Sequence, residues 1–297
     1  MRCLMLTVWF FIWFAYLSLF YVNVFPYPEH WFSTYWGLTK LIVFNLCFAS
    51  LCINYFLAIR TPPGGVPPGW TPPNASQEEL EIAREVPEDP KDIGKRKVRY
   101  CVRCEEFKPE RAHHCSDCKR CVLRMDHHCP WVNNCVGLRN HKYFLLFVFF
   151  AMITMIMAVI LYFSTLFSRI SAYQALSSRE RRNSEAGVIL SPPAAVIMVI
   201  NLGLLLPITC GLISLFAWQI GVLTENCTTI EHRERSIARR DARARRRKFR
   251  WKYDRGDTMS NLSELLGDSI LLWMAPVYHH PLHGDGLEYV DFSQQSV

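Results

Sequence analysis

The residues with chemistry to offer crowd into one stretch, Arg111–Cys135, reading RAHHCSDCKRCVLRMDHHCPWVNNC. With Cys101 and Cys104 just upstream, they form a repeat. Cys101, Cys104, His114 and Cys121 follow the pattern C-x2-C-x9-H-x6-C. Cys115, Cys118, His128 and Cys135 follow it again fourteen residues later. Structural zinc takes four tetrahedral ligands, commonly sulfur and imidazole, and a C-x2-C pair turns two thiolates onto one ion. The eight side chains are therefore expected to hold two structural Zn2+ ions. A redox dithiol pair is the competing reading, and it leaves the paired histidines without a role. The grouping follows the repeat; a sequential pairing with other histidines uses the same residue types.

One cysteine of the stretch is unspent. Arg111–Cys115 aligns with Met125–Cys129, so Cys129 matches Cys115. Cys115 begins a C-x2-C pair, whereas Val132 stands where the partner of Cys129 would be. The second copy also has Asp126 in place of Ala112. A carboxylate, an imidazole and a thiol form the pattern of a base-activated nucleophile. His127 would take the thiol proton, and Asp126 would fix the imidazole's tautomer and favour its cation. The plainer alternative for Cys129 is a buried structural cysteine. His113 has no acid beside it and reads as a structural hydrogen-bonding residue.

These residues need a frame to hold them. Half of the 297 residues are hydrophobic (51%), yet the charges are segregated. Four apolar stretches carry almost none: Cys3–Phe25, Tyr35–Ile59, Tyr143–Phe167 and Ala194–Leu223. Each reaches the roughly 20 residues needed to cross a hydrocarbon core. The first is too long for a signal peptide and has no small-residue cleavage site after it. Of 33 Lys and Arg, 15 lie between Arg60 and Lys142 and 12 after Leu223. The loop Val22–Thr34 has none, and Ser168–Pro193 has Arg169, Arg179, Arg181 and Arg182. The positive-inside bias puts the cysteine-rich loop and both termini in the cytosol. The net charge of +7 reflects that bias, so no nucleic-acid partner is expected. Cytosolic thiols stay reduced, which favours metal binding or catalysis over disulfides.

The fold class that follows is an all-α polytopic membrane protein. Four transmembrane helices carry a cytosolic two-zinc cysteine-rich module between helices 2 and 3. The expected domains are 1–60 (helices 1 and 2), 61–97 (a Pro/Gly-rich, then acidic linker), 98–142 (the cysteine-rich module), 143–223 (helices 3 and 4) and 224–297 (a cytosolic tail). A module of about 45 residues buries too little apolar area to fold unaided, so the metals supply its folding energy. Trp70 in the linker is a candidate lipid-interface anchor, and Gln77–Glu85 a short helix. His232–Lys252 reads as a basic helix beside anionic lipid, or as a contributor to binding a polyanionic cofactor. Cys3 and Cys227 are candidate acylation sites. The sequons at Asn74, Asn226 and Asn261 fall on the cytosolic side and are expected to be unglycosylated.

Asp126-His127-His128-Cys129 within this frame resembles the DHHC protein S-acyltransferases (palmitoyltransferases), over nearly the whole chain. Pro130–Gly137 and Asn140-His141 carry the likeness downstream, and Thr228-Thr229-Ile230-Glu231 is similar to the family's TTxE motif. Tyr253–Gly256 with Asn261 resembles the C-terminal motif with its structural Asn. Thr61–Gly64 replaces the usual DPG. The connector and the ending Gly284–Tyr289 look like the short-tailed endoplasmic-reticulum subgroup. The resemblance implies an acyltransferase with palmitoyl-CoA or another long-chain acyl-CoA as donor. Cys129 would carry the acyl group as a thioester, with His127 as base and Asp126 orienting it. Thr229 would hydrogen-bond Asp126, and Trp131 would lie against the acyl chain or cofactor. Partners would be membrane-associated proteins with cytosolic cysteines, and the lipid bilayer. Two readings compete: a membrane-anchored zinc scaffold or ubiquitin-ligase-like recruitment module, and a catalytically dead homologue.

Overall fold

The computed structural model describes residues 2–26, 28–85, 98–175, 190–277 and 285–294. The end of the expected linker (86–97), Arg179, Arg181 and Arg182 of the third loop, and Gly284 of the ending motif lie outside these residues.

Four helices are long and apolar enough to cross a membrane: Cys3–Val24, Tyr35–Arg60, His141–Ala175 and Pro192–Leu223. They match the four apolar stretches of the sequence. In hydrocarbon every backbone N–H and C=O needs an internal partner, which a helix provides. The first is α1 (Arg2–Leu19), continued by a π-helical turn over Phe20–Val24. After the short α2 (Pro28–Phe32) comes the second, α3 (Tyr35–Arg60). The third, α5 (His141–Ala175), and the fourth, α6 (Pro192–Leu223), follow the cysteine-rich segment. At 1.5 Å per residue the 35-residue α5 is about 50 Å long, well beyond a core of roughly 30 Å. Between α3 and the cysteine-rich segment, Gln77–Glu85 forms α4, as its sequence suggests.

The chain divides into two compact units. One comprises residues 2–52 and 147–216. Its core packs Leu19, Val22, Phe44, Tyr162, Met198 and Leu205. Tyr16 stacks on Phe48 with ring centroids 4.1 Å apart. Its polar groups pair with each other, as polar groups inside spans do: Thr165 donates to Asn23 at 2.6 Å and Ser18 to Asn201 at 3.2 Å.

The other unit comprises residues 53–146 and 217–297 and contains the cysteine-rich module. Three antiparallel hairpins form it: β1–β2 (Arg99–Cys101 with Glu106–Lys108), β3–β4 (His113–Cys115 with Arg120–Val122) and β5–β6 (His127–Cys129 with Asn134–Val136). Their pairings Arg99↔Lys108, His113↔Val122 and His127↔Val136 are one pattern shifted twice by fourteen residues. The turns repeat as well: Glu105, Lys119 and Asn133 all adopt a left-handed φ near +50° (55°, 51° and 50°). The repeat seen in the sequence as two copies is thus threefold. A fourth copy would begin at position 141, where α5 starts instead.

The Pro/Gly connector docks on this module. Leu123 N–H donates to Gly64 O at 3.1 Å and Arg139 N–H to Pro63 O at 3.1 Å. Trp70, expected at the lipid interface, instead packs with Ala83, Val98 and Phe107. Those neighbours give its ring an apolar partner without lipid. Gly137 is required by space: a Cβ there would lie 2.7 Å from Val122 Cγ1 and 3.0 Å from Leu123 O and Pro63 O.

After α6 the chain turns into α7 (Thr229–Ala244) and α8 (Thr258–Leu266). α7 starts on a capping box, in which Thr228 accepts from the Glu231 N–H and the Glu231 side chain accepts from the Thr228 N–H. The basic helix expected over His232–Lys252 starts three residues earlier and ends at Ala244. Arg246 there takes a left-handed φ of 53°, and the last basic residues run on as irregular chain. Asn261 donates to Thr224 O at 2.9 Å and to Asp254 at 2.8 Å, and accepts from Arg255 N–H at 2.9 Å, so it ties the tail to the end of α6. Asn226 and Asn261 are buried, as is Cys227. Burial removes Cys227 as a candidate for acylation in the folded chain, while Cys3 is exposed.

Candidate active site and metal centres

Two clusters of ligand atoms form among the hairpins: Cys101, Cys104, His114 and Cys121, and Cys115, Cys118, His128 and Cys135. This is the grouping of the repeat, and the sequential alternative falls away. Within each set all ligand atoms lie within 4.8 Å of one another. His114 Nδ1 is 3.5 Å from Cys101 Sγ and 3.2 Å from Cys104 Sγ. His128 Nδ1 is 3.6 Å from Cys115 Sγ, 3.4 Å from Cys118 Sγ and 3.6 Å from Cys135 Sγ. Tetrahedral zinc with its usual bond lengths puts sulfur and nitrogen ligands roughly 3.6 Å apart. The clusters fit zinc. Each takes a C-x2-C knuckle from one hairpin and a His–Cys pair from the next, and those two are cross-strand partners: His114↔Cys121 and His128↔Cys135. An ion in the first cluster would therefore staple hairpin one to hairpin two, and one in the second would staple two to three.

The third hairpin carries Asp126, His127 and Cys129. Asp126 is fully buried. Its Oδ2 accepts from His127 Nδ1–H at 2.7 Å, from the Thr229 hydroxyl at 3.1 Å and from Gln219 Nε2–H at 3.2 Å. Its Oδ1 accepts from the Thr229 N–H at 2.6 Å. That N–H belongs to the first residue of α7, one of the donors a helix leaves unpaired at its start. The positive end of the helix dipole faces the carboxylate. Burial alone would raise the Asp126 carboxyl; the His127 hydrogen bond and the Thr229 amide outweigh it and hold it well below the usual carboxylate range. Burial alone would lower His127, but hydrogen bonds to Asp126 and Cys129 lift it to about 9. The imidazole thus lies between the carboxylate and the thiol, with the ring edge of Phe144 against it at 5.2 Å.

The hairpin is held at the ends of two apolar helices. Asn134 Nδ2 donates to Ala58 O at 3.2 Å and Thr61 O at 3.0 Å, which satisfies carbonyls at the end of α3. Tyr55 donates to Trp131 O at 2.8 Å. Asn140 accepts from Gly137 N–H at 2.9 Å and donates to Cys135 O at 2.8 Å, joining the hairpin to the start of α5. The Trp131 side chain is 53% exposed beside this anchor.

A second clasp holds the start of α7. Arg111, on the approach to hairpin two, donates through Nε to Glu231 Oε1 and through Nη2 to Glu231 Oε2, both at 2.7 Å. Its guanidinium lies 4.2 Å over the Tyr253 ring and 5.0 Å from that of Tyr289. Burial favours a neutral Glu231, but the Arg111 charge outweighs it and lowers the carboxyl. The sequence pointed to Thr229 and Glu231 through their motif but missed Arg111 and Gln219. A lone Gln near the end of an apolar span was the available signal, since polar residues there are costly.

The likeness to known proteins runs through these same elements. A family model described as DHHC palmitoyltransferase matches residues 95–236. Probable protein S-acyltransferase 16 of Arabidopsis thaliana is 36% identical over 268 residues, covering 88% of this chain and 85% of the relative. Probable protein S-acyltransferase 15 of the same plant is 32% identical over 267 residues, covering 87% of this chain and 92% of the relative. Palmitoyltransferase PFA4 of Mycosarcoma maydis is 37% identical over 293 residues, covering 93% of this chain and 57% of that longer protein. Two interleaved Cys/His clusters, a carboxylate–imidazole–thiol set outside both, and relatives of this identity over most of their length make one case: the chain belongs to the DHHC palmitoyltransferase family.

Proposed function

We propose that this protein is a protein S-palmitoyltransferase working in two steps through Cys129. In the first, His127 takes the Cys129 proton and the thiolate attacks the thioester carbonyl of a long-chain acyl-CoA. The bond to the coenzyme sulfur breaks, the leaving thiolate regains a proton from His127, and Cys129 holds the acyl group as a thioester. In the second, the thiol of a protein cysteine gives its proton to His127 and attacks that thioester; the bond to Cys129 breaks and the leaving Cys129 thiolate takes the proton back from His127. Asp126 stabilises the imidazolium at each step, and Thr229 fixes Asp126. Trp131 lies where the acyl chain or cofactor would approach. The two zinc ions fill the Cys/His clusters and supply folding energy, with no role as activators of water.

One observation carries this reading. Asp126 and His127 form a hydrogen-bonded pair, and the Cys129 thiol two residues on belongs to neither metal cluster and acts on the same imidazole. A recruitment module needs no such set, and a dead homologue would have lost part of it. The topology supports it further. A long acyl chain partitions into lipid at about 0.8 kcal/mol per methylene, so acyl-CoA presents its thioester at the membrane boundary. Hairpin three, tied to the ends of α3 and α5, is held at such a boundary. The positive-inside bias makes this the cytosolic face, with both termini there. The protein substrates are then membrane-associated proteins with cytosolic cysteines, and the resemblance of Gly284–Tyr289 to the endoplasmic-reticulum subgroup favours that membrane.

Intact-mass spectrometry of the full chain with palmitoyl-CoA tests the proposal. The wild type gains one hydroxylamine-sensitive acyl group, and Cys129→Ser gains none while native mass still counts two zincs. An adduct on Cys129→Ser at the wild-type level would remove Cys129 as the nucleophile.

A further inference from the structure

The buried surroundings of Asp126 extend further than a carboxylate–imidazole–thiol set requires. Gln219, on the last turns of α6, is buried and donates through Nε2 to Asp126 Oδ2 at 3.2 Å. Its other amide atom, Oε1, lies 3.0 Å from Nε2 of His141, the first residue of α5. The opposite nitrogen of that ring, Nδ1, lies 3.4 Å from Arg124 Nη1. All four side chains are buried, and Arg124 and His141 are among the largest fully buried groups of the protein.

The direction of every bond in this chain is fixed by its two ends. A guanidinium can only donate, so His141 Nδ1 accepts. A neutral imidazole then carries its hydrogen on Nε2 and donates it to Gln219 Oε1. That leaves the Gln219 NH2 for Asp126, whose ionised carboxylate can only accept. The chain therefore runs from a buried cation to a buried anion with each donor pointed at the anion. Reversal of the Gln219 amide would set its oxygen against the Asp126 carboxylate and its NH2 against the His141 Nε2–H. Thr229 holds the carboxylate from α7 and Gln219 holds it from α6. The Thr229 hydroxyl also lies 3.4 Å from Trp218 Nε1, which donates to it and leaves the hydroxyl hydrogen for Asp126.

We propose that Gln219 is a positioning residue for acyl transfer, with His141 and Arg124 setting its orientation. Its amide keeps Asp126 Oδ2 turned toward His127, so that the carboxylate receives the imidazolium formed when Cys129 gives up its proton. Gln219 touches neither the acyl group nor the thiol and acts through Asp126 alone. The inference rests on the reading of Cys129 as nucleophile.

The test is the rate of acyl-enzyme formation by the purified full chain in nanodiscs, measured against palmitoyl-CoA concentration. Gln219→Met keeps the length and bulk of the side chain and removes the donor. Its rate at saturating acyl-CoA is expected to fall about tenfold, the loss of one hydrogen bond to a charged group. The KM for acyl-CoA and the two zincs per chain should not change. His141→Phe should slow the step in the same way. His141→Gln, which keeps an N–H at the same reach, should recover most of the rate. The double variant Gln219→Met/His141→Phe should be no slower than Gln219→Met. Wild-type rates in Gln219→Met would overturn the inference, as would a loss confined to KM or proportional to lost zinc. So would equal rates in His141→Phe and His141→Gln. Failure of the underlying reading looks different: the wild type itself would form no adduct on Cys129.

Discussion

Hairpins two and three share a pairing register, a left-handed turn residue and a histidine pair, yet the cysteine that ends the first strand belongs to a Cys/His cluster in one and to neither cluster in the other. Cys115 and Cys129 occupy the same place, the last residue of the first strand. Cys115 has Cys118 beside it and a following hairpin whose His128 and Cys135 complete its cluster. Cys129 has Val132 beside it, and the next repeat is replaced by the start of α5. Without a knuckle partner or a next repeat, Cys129 stands outside both clusters. The residues that lead into the strands divide in the same way. Arg111 and Ala112 precede hairpin two, and Met125 and Asp126 precede hairpin three. Arg111 grips Glu231 of α7 and Asp126 grips Thr229 of the same helix. One helix start is thus held twice, by the Arg111–Glu231 ion pair and by the carboxylate that accepts from His127.

The strongest test of the comparison removes the two matched thiols. Cys115→Ser is expected to abolish one zinc site and unfold the module, because structural zinc contributes of order 10 kcal/mol in small domains. Cys129→Ser is expected to keep both zincs and the thermal midpoint to within a few degrees. Native mass spectrometry with a thermal melt reads both. Equal loss of zinc from the two variants would mean that Cys129 is a ligand and that the hairpins do not differ in role.

How much of this was legible depended on whether spacing or packing fixed the residue. The ligand sets were legible, because one ion holds four side chains at set distances and so imposes a spacing. The four spans were legible, because lipid demands an unbroken apolar helix. Cys129 stood out by comparing the copies. Hairpin one was hidden as a copy because Arg99 and Tyr100 stand where the later copies have their two histidines, so only its cysteine pair and its backbone repeat. Gln219 and Arg111 were hidden because their partners lie about a hundred residues away in sequence, and no local pattern connects them. The packing of Trp70 was hidden because an isolated Trp near a span suggests lipid, whereas its apolar neighbours come from α4 and hairpin one. The basic run after Thr229 looked like one helix because arginine is a good helix former, and its end is set by the left-handed residue Arg246.

The second test breaks the structural grip. Glu231→Gln leaves the Arg111 guanidinium buried without its counter-charge and is expected to cost about 3–5 kcal/mol of stability. The pH dependence has a definite sign. The folded-state Glu231 carboxyl is lowered from its ordinary 4.5, so its contribution is fully present above that value and fades as pH falls below it. The difference in melting temperature between wild type and Glu231→Gln should therefore be constant near neutrality and shrink in acid. A gap that widens on acidification would rule out the ion pair as its source.

The smallest effect is expected on the catalytic side of the same helix. Thr229→Val removes the hydroxyl that reaches Asp126 Oδ2 at 3.1 Å but keeps the N–H that reaches Oδ1 at 2.6 Å. The carboxylate also keeps its bonds from His127 and Gln219. One hydroxyl bond among four donors should cost about 1 kcal/mol in the transition state, roughly a fivefold slower acyl-enzyme formation. Stability should barely move, because the Thr228–Glu231 capping box and the Arg111 ion pair do not involve that hydroxyl. The contrast with Glu231→Gln is the point of the experiment: two residues apart on one helix, one variant should lower the melting temperature and the other the rate. If Thr229→Val instead melts as early as Glu231→Gln, the helix start is one structural unit and the division between the two grips fails.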